Sequence, residues 1–115
     1  MNLKVNIEKK QEGFYVISLN GSLDNVTYEE CDNQVALILG PSTKKIIFDM
    51  AGLYYISSIG FTVLIKANRV IKNNSGALAI ANLKPDVKRV FATMRMLPDT
   101  IFDSIEDAYK YIEGK

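Results

Sequence analysis

The stretch from Lys45 to Asn73, KIIFDMAGLYYISSIGFTVLIKANRVIKN, changes its hydrophobic period halfway along, and that change constrains the fold most. From Lys45 to Met50 the chain is an apolar run broken only by Asp49, rich in β-branched residues and followed by Ala51-Gly52. Such a run predicts a strand buried on both faces, ending in a short polar turn. From Ile59 the period lengthens. Gly60, Val63, Leu64, Ala67, Val70 and Ile71 recur at three- and four-residue steps, one face of a helix, while Lys66, Asn68, Arg69, Lys72 and Asn73 fall largely opposite. Ser57 or Ser58 is the natural N-cap, because a serine hydroxyl accepts a hydrogen bond from a free amide of the first turn. The helix is therefore expected to begin at the serines. Phe61 and Ile65 lie off the buried stripe, one turn apart. They either fill the edge of the core or form an exposed apolar ridge beside Ser58 that a partner covers.

The flanking sequence supplies the remaining elements. Residues 2–8 alternate, with Leu3, Val5 and Ile7 on one side, as a half-buried strand does. Gln11-Glu12-Gly13 turns the chain into a second strand, Phe14 to Asn20, which Gly21 is expected to end; Ser22 to Asn25 then reads as a polar loop. A helix from about Thr27 to Leu39 follows, with Tyr28, Cys31, Val35, Ile38 and Leu39 turned inward, and Gly40-Pro41 stops it. Asn73 to Gly76 is a helix end and turn, and Ala77 to Ala81 a short buried strand. Pro85 opens a third helix with Val87, Val90, Phe91 and Met94 as its apolar stripe. Leu97-Pro98-Asp99 breaks that helix, Ile101-Phe102 is a brief strand, and Ser104 caps a last helix anchored by Ala108, Tyr111 and Ile112. The order β-β-α-β-α-β-α-β-α predicts one α/β domain over residues 1–115: a mixed, mostly parallel sheet of about five strands packed with four helices, its first two strands a hairpin.

Composition narrows the chemistry. The 115 residues carry a formal charge of +1 with the charges scattered, so no footprint for nucleic acid or an anionic membrane is present. No apolar run is long enough to span a bilayer and the first residues do not resemble a signal peptide, so a cytoplasmic protein is expected. Cys31, the only cysteine, reads as a small buried filler. Histidine is absent, which removes the usual general base, the usual metal ligand and any Ser-His-Asp triad. No carboxylate cluster has metal-binding spacing, and no glycine loop is built to cradle a phosphate, so no cofactor is expected. A nucleophilic Ser58 would need a lysine base, and none lies near the motif. A binding module is expected rather than an enzyme.

Four segments together resemble the STAS domains, the fold shared by bacterial anti-sigma-factor antagonists and sulfate-transporter tails. They are Gly21-Ser22-Leu23-Asp24-Asn25-Val26-Thr27; Ile47-Phe48-Asp49-Met50 with Tyr55-Ile56-Ser57-Ser58-Ile59-Gly60-Phe61; Asn82-Leu83-Lys84-Pro85-Asp86-Val87; and Ile101-Phe102-Asp103-Ser104-Ile105-Glu106-Asp107-Ala108. The resemblance covers nearly the whole chain. In the antagonist branch a serine just before the central helix is phosphorylated by an anti-sigma factor that is also a serine kinase, and placing the family glycine on Gly60 puts that serine at Ser58, with Ser57 the second choice. Ser57 stands where the best-known members often carry aspartate, and Ile59 and Phe61 replace a small residue and a leucine. Asp24 matches the loop aspartate near the phosphosite; its alternative role is to cap the loop or the helix after it. The resemblance thus implies a bacterial partner-switching regulator of transcription. Unphosphorylated, it holds the anti-sigma factor and frees the sigma factor; phosphorylated, it lets go until a serine phosphatase restores it. Asp24, Asn25, Tyr55, Ser57, Ile59, Gly60, Phe61 and Ile65 are the expected partner-binding residues. A non-switching scaffold or a lipid-transporter subunit is the alternative.

Overall fold

The computed structural model describes residues 2–95 and 97–115. One five-stranded sheet runs in the order of the chain: β1 (Leu3–Gln11), β2 (Phe14–Leu23), β3 (Lys45–Ile56), β4 (Ala77–Ala81) and β5 (Ile101–Phe102). β1 and β2 form the antiparallel hairpin and every later neighbour is parallel, as the alternation of strands and helices predicted. The connecting helices are α1 (Tyr28–Ala36), α2 (Phe61–Asn73) and α3 (Pro85–Met94), and α4 (Ile105–Glu113) closes the chain.

The alternation along each strand sorts the side chains into two cores. Ile17, Leu19, Ile46, Phe48, Met50, Leu78 and Ile80 face α1, α2 and α3, meeting Cys31, Val35, Leu64, Ala67, Ile71, Val87 and Phe91. Successive right-handed crossovers that all advance in one direction place their helices on one face, which is why three helices share this side. On the other face Phe14, Val16, Ile47 and the alanine row Ala77, Ala79 and Ala81 meet Ala108 and Ile112 of α4. The small alanine side chains let α4 approach the middle of the sheet. Ser104 caps that helix, its Oγ accepting from the Asp107 amide at 3.1 Å.

Two strands run further than the sequence suggests. Gly21 does not end β2: at φ +120° it adopts a backbone that side-chain-bearing residues rarely take, the ladder shifts register there, and β2 continues to Leu23. Likewise the expected polar turn after Met50 is strand. β3 bulges after Asp49, whose Oδ1 accepts from the Ala51 amide at 3.1 Å, then carries Leu53 and Ile56 into the core as it pairs with the end of β2. Leu53 pairs with Gly21 and Tyr55 with Ser22, so Tyr54 is the residue left over between them. That is why two consecutive tyrosines both face outward instead of alternating.

The helix starts also move. α1 spans Tyr28–Ala36 rather than Thr27 to Leu39, because the amides of Leu37, Ile38 and Leu39 reach back three residues instead of four and tighten its end. Cys31 is buried in it as a filler, and burial, with a smaller contribution from Asp32, pushes its thiol up to about 12. α2 begins at Phe61, three residues beyond Ser58, and a separate turn links it to β3.

Candidate functional site

β2 and β3 end side by side, and their last residues determine how the next two segments meet. The Leu23 carbonyl accepts from the Ser57 amide at 2.9 Å, extending the parallel pairing one step beyond the strands. The turn that follows is wound by its own first residue. Ser57 Oγ accepts from the Gly60 amide at 3.2 Å, and the Ser57 carbonyl accepts from the Phe61 amide at 3.3 Å. Ser57 therefore caps this turn, as an aspartate in the same place could, whereas α2 itself starts from Gly60 with no side-chain cap.

Gly60 is buried at ordinary helical angles, so its need for glycine is one of space. A Cβ there would stand 2.6 Å from the Leu23 carbonyl oxygen and 2.9 Å from the Leu23 side chain. Its expected partner-binding role is corrected to this close approach. Phe61 is corrected as well. It is fully buried, its ring 4.6 Å from that of Phe91 on α3, and Ile65 is half-buried against the same core. Phe61 lies off the stripe because its ring meets Phe91 of α3 beyond the sheet. The core-edge alternative holds for both, and no exposed ridge runs along α2 at these positions.

Ser58 and Ile59 remain on the outside of the turn. Ser58 is exposed, and among the described residues its hydroxyl makes no hydrogen bond. The first turn of α2 carries no acidic residue, so the positive end of the helix dipole is not neutralised there. Beside Ser58, Ile59 is 39% exposed and Tyr55 48%. Tyr54 (66%) and Val26 (76%) follow the same strand ends. Of the large apolar side chains that the described residues expose, only Leu37 lies elsewhere, so this end of the sheet is the apolar surface of the domain. Tyr54 stands between two open clefts, one shared with Gly21 and Ser22, the other with Lys84, Pro85 and Asp86.

Asp24 is directed inward. It is 8% exposed, and its Oδ1 accepts from the amides of Val26 (2.9 Å) and Thr27 (3.0 Å). The Val26 amide is the main cause that holds this carboxyl below the usual carboxylate range; the Thr27 amide and hydroxyl add to it, and burial opposes them. Thr27 completes the knot, its Oγ1 donating to the Ser22 carbonyl at 2.7 Å and accepting from the Asp24 amide at 3.0 Å. Of the two roles open to Asp24, capping the loop is the one the geometry gives it. Asn25, beside it, is exposed. Thr27, Val26 and the Leu23 carbonyl were not singled out for the site from sequence. Thr27 carried a signal, because a threonine three residues after an aspartate is the spacing of a capping pair.

Among the described residues no group of three or more His, Cys, Asp or Glu is placed to hold a metal ion, and no helix is long and apolar enough to cross a membrane. The arrangement presents a hydroxyl and an apolar patch, held by a buried hydrogen-bonded base.

Comparison with known proteins agrees with this geometry. A Bordetella bronchiseptica protein, BtrV, described as a candidate anti-sigma factor antagonist, is 27% identical over 82 residues, 71% of either chain. The anti-sigma factor antagonist SpoIIAA in its unphosphorylated form superposes with a TM-score of 0.84 at 21% identity, covering 97% of this chain and 98% of that one. The Bacillus cell fate determinant SpoIIAA in its phosphorylated form gives 0.75 at 20% identity, covering 95% and 99%. At these identities the structural likeness speaks to the fold. Residues 6–108, nearly the whole chain, match the STAS domain family, and the protein belongs to that family.

Proposed function

We propose that this protein is an anti-sigma-factor antagonist whose grip on its partner is switched by phosphorylation of Ser58. The observation that carries the proposal is the division of labour between two adjacent serines. Ser57 is committed to the Gly60 amide, whereas Ser58 is exposed in the turn before α2, unengaged among the described residues, beside Tyr55 and Ile59. The names of the relatives support it: one is a candidate antagonist, and another antagonist is known in phosphorylated and unphosphorylated forms.

The partner is an anti-sigma factor that is also a serine kinase. The Ser58 hydroxyl attacks the γ-phosphorus of ATP, ADP leaves, and the hydroxyl proton passes to the kinase. The phosphate adds roughly −1.5 to −2 charges to the turn. The free positive end of α2 tolerates them, so the domain stays folded. The interface does not tolerate them. A surface shaped for a neutral hydroxyl and apolar side chains would have to desolvate a dianion, which costs several kcal/mol as an order of magnitude. Release follows, and a serine phosphatase acting on phospho-Ser58 restores binding. The protein is a binding module in this scheme; the catalytic groups belong to its partners.

The test is to incubate the protein with candidate switch kinases and ATP, then read intact mass and map peptides. One phosphate on Ser58, lost in Ser58→Ala and accompanied by loss of kinase binding, is the expected result. A phosphate on Ser57 would reassign the site. No phosphate with any candidate kinase would overturn the switch and favour a scaffold or transporter subunit.

A further inference from the structure

The two edges of the sheet differ. β5 is two residues long and leaves almost no backbone to pair with, but β1 is nine residues long, with no proline and no irregularity before the register shift between Lys9 and Gln11. An edge of that length is a template for another strand unless something blunts it. Its hydrogen-bonding phase follows from one bond. The Ser22 amide donates to the Asn2 carbonyl at 2.9 Å, and the ladder runs unshifted from Leu3–Gly21 to Lys9–Tyr15. In an antiparallel ladder the residues that exchange bonds with the partner alternate with those that do not. Asn2, Lys4, Asn6 and Glu8 therefore turn their backbone groups to β2, while Leu3, Val5, Ile7 and Lys9 turn theirs outward.

We propose that the β1 edge pairs with the β1 edge of a second copy of this chain, antiparallel and centred on Asn6, joining two sheets into one. Only registers that match outward-facing residues with each other satisfy the backbone, and the side chains choose among them. Centring on Asn6 pairs the whole regular length of the strand, sets Val5 against the partner's Ile7, and gives about eight backbone hydrogen bonds. It also sets Lys4 against the partner's Glu8 and Glu8 against the partner's Lys4. A slip of one residue along the twofold axis toward Val5 sets Lys4 against the partner's Asn6, and a slip toward Ile7 sets Lys4 against the partner's Lys10. The next register sets Glu8 against itself. Charge complementarity thus selects one register. Among the described residues Lys4 is exposed without an ion pair and Glu8 is paired only with Lys10, at 2.9 Å on the surface. Leu3, Val5 and Ile7 are half-buried against the helical core, and their remaining exposed surface would be covered by the same residues of the partner. This pairing does not depend on the state of Ser58.

Analytical ultracentrifugation of the full chain over a range of concentrations tests it, with Lys4→Glu, Glu8→Lys and the double variant alongside. Both positions are exposed, so thermal melts of the monomers should match. Each single change turns two favourable contacts into like-charge contacts and should weaken the dimer about tenfold or more. The double variant should dimerise again, and an equimolar mixture of the two single variants should form the mixed dimer, because it restores both ion pairs. A wild-type chain that stays monomeric to about 1 mM would overturn the proposal. So would a dimer indifferent to both changes, or one that the double variant fails to restore.

Discussion

The loop from Ser22 to Thr27 and the turn from Ser57 to Gly60 meet at one carbonyl, that of Leu23, yet they are built in opposite ways. In the loop Asp24 and Thr27 turn inward: Asp24 takes the Val26 and Thr27 amides, and Thr27 bonds to the Ser22 carbonyl. In the turn the polar work falls to Ser57 alone, and Ser58 and Ile59 are left facing solvent. The difference separates holding from presenting. Residues that hold should cost stability when changed and affect binding only through it. Residues that present should do the reverse.

The hardest test of the holding side is Phe61, since its burial against Phe91 anchors the first turn of α2. Phe61→Ala should destabilise the protein by about 3–5 kcal/mol in urea unfolding. A change under about 1 kcal/mol would mean that the residue is an exposed ridge after all. Gly60→Ala comes next. Its Cβ would push on the Leu23 carbonyl, which is backbone and already holds the Ser57 amide, and overpacking of this kind costs about 1–3 kcal/mol. If the loop and turn are joined through Leu23, the amides of both should lose hydrogen-exchange protection together in this variant.

Asp24 sharpens the comparison through pH. Its carboxyl is held below the usual range in the folded protein, so the ionised form is the one the fold favours. The stability it contributes is present above the unfolded pKa and is lost as pH falls below about 4, through the folded value. Asp24→Asn should remove that part of the acid-side decline, seen as a flatter dependence of urea midpoint on pH. An unchanged acid limb would place the loss of stability in other carboxylates.

Much of this arrangement was legible in the sequence. The alternation of Leu3, Val5 and Ile7, the charge-free run Ala77 to Ala81 and the helical stripe of α2 are local patterns, and local patterns fix element type and order. What escaped depends on neighbours. Gly21 looks like a strand end because glycine usually punctuates, but here the following Ser22 and Leu23 find partners in Tyr55 and Ile56, so β2 runs on past the glycine, opposite the bulge that Tyr54 makes in β3. Phe61 could be read either as core edge or as an exposed ridge, because a helical wheel shows one stripe and nothing local reveals that Phe91 of α3 meets its ring. The start of α2 could not be read either. Either serine can cap a helix, but the bond from the Ser57 amide to Leu23, thirty-four residues earlier in sequence, ties Ser57 to the strand ends, where it caps a turn and α2 starts only after Gly60.

The smallest effect on stability is the most informative about the two serines. Ser57→Ala removes the acceptor of the Gly60 amide and should cost about 0.5–1 kcal/mol, as lost caps do. Ser58→Ala removes an exposed hydroxyl that makes no hydrogen bond among the described residues, and should fall within about 0.5 kcal/mol of wild type. Partner binding should separate them in the other direction. Ser58→Asp places a charge where the neutral hydroxyl is presented and should weaken kinase binding with the melting temperature nearly unchanged. Ser57→Asp keeps a capping acceptor for Gly60 and should bind more nearly as wild type does. Equal losses of binding from both would mean that the turn is recognised as a charged or neutral whole. The distinction between a holding and a presenting serine would then fail at the one place where the two are adjacent.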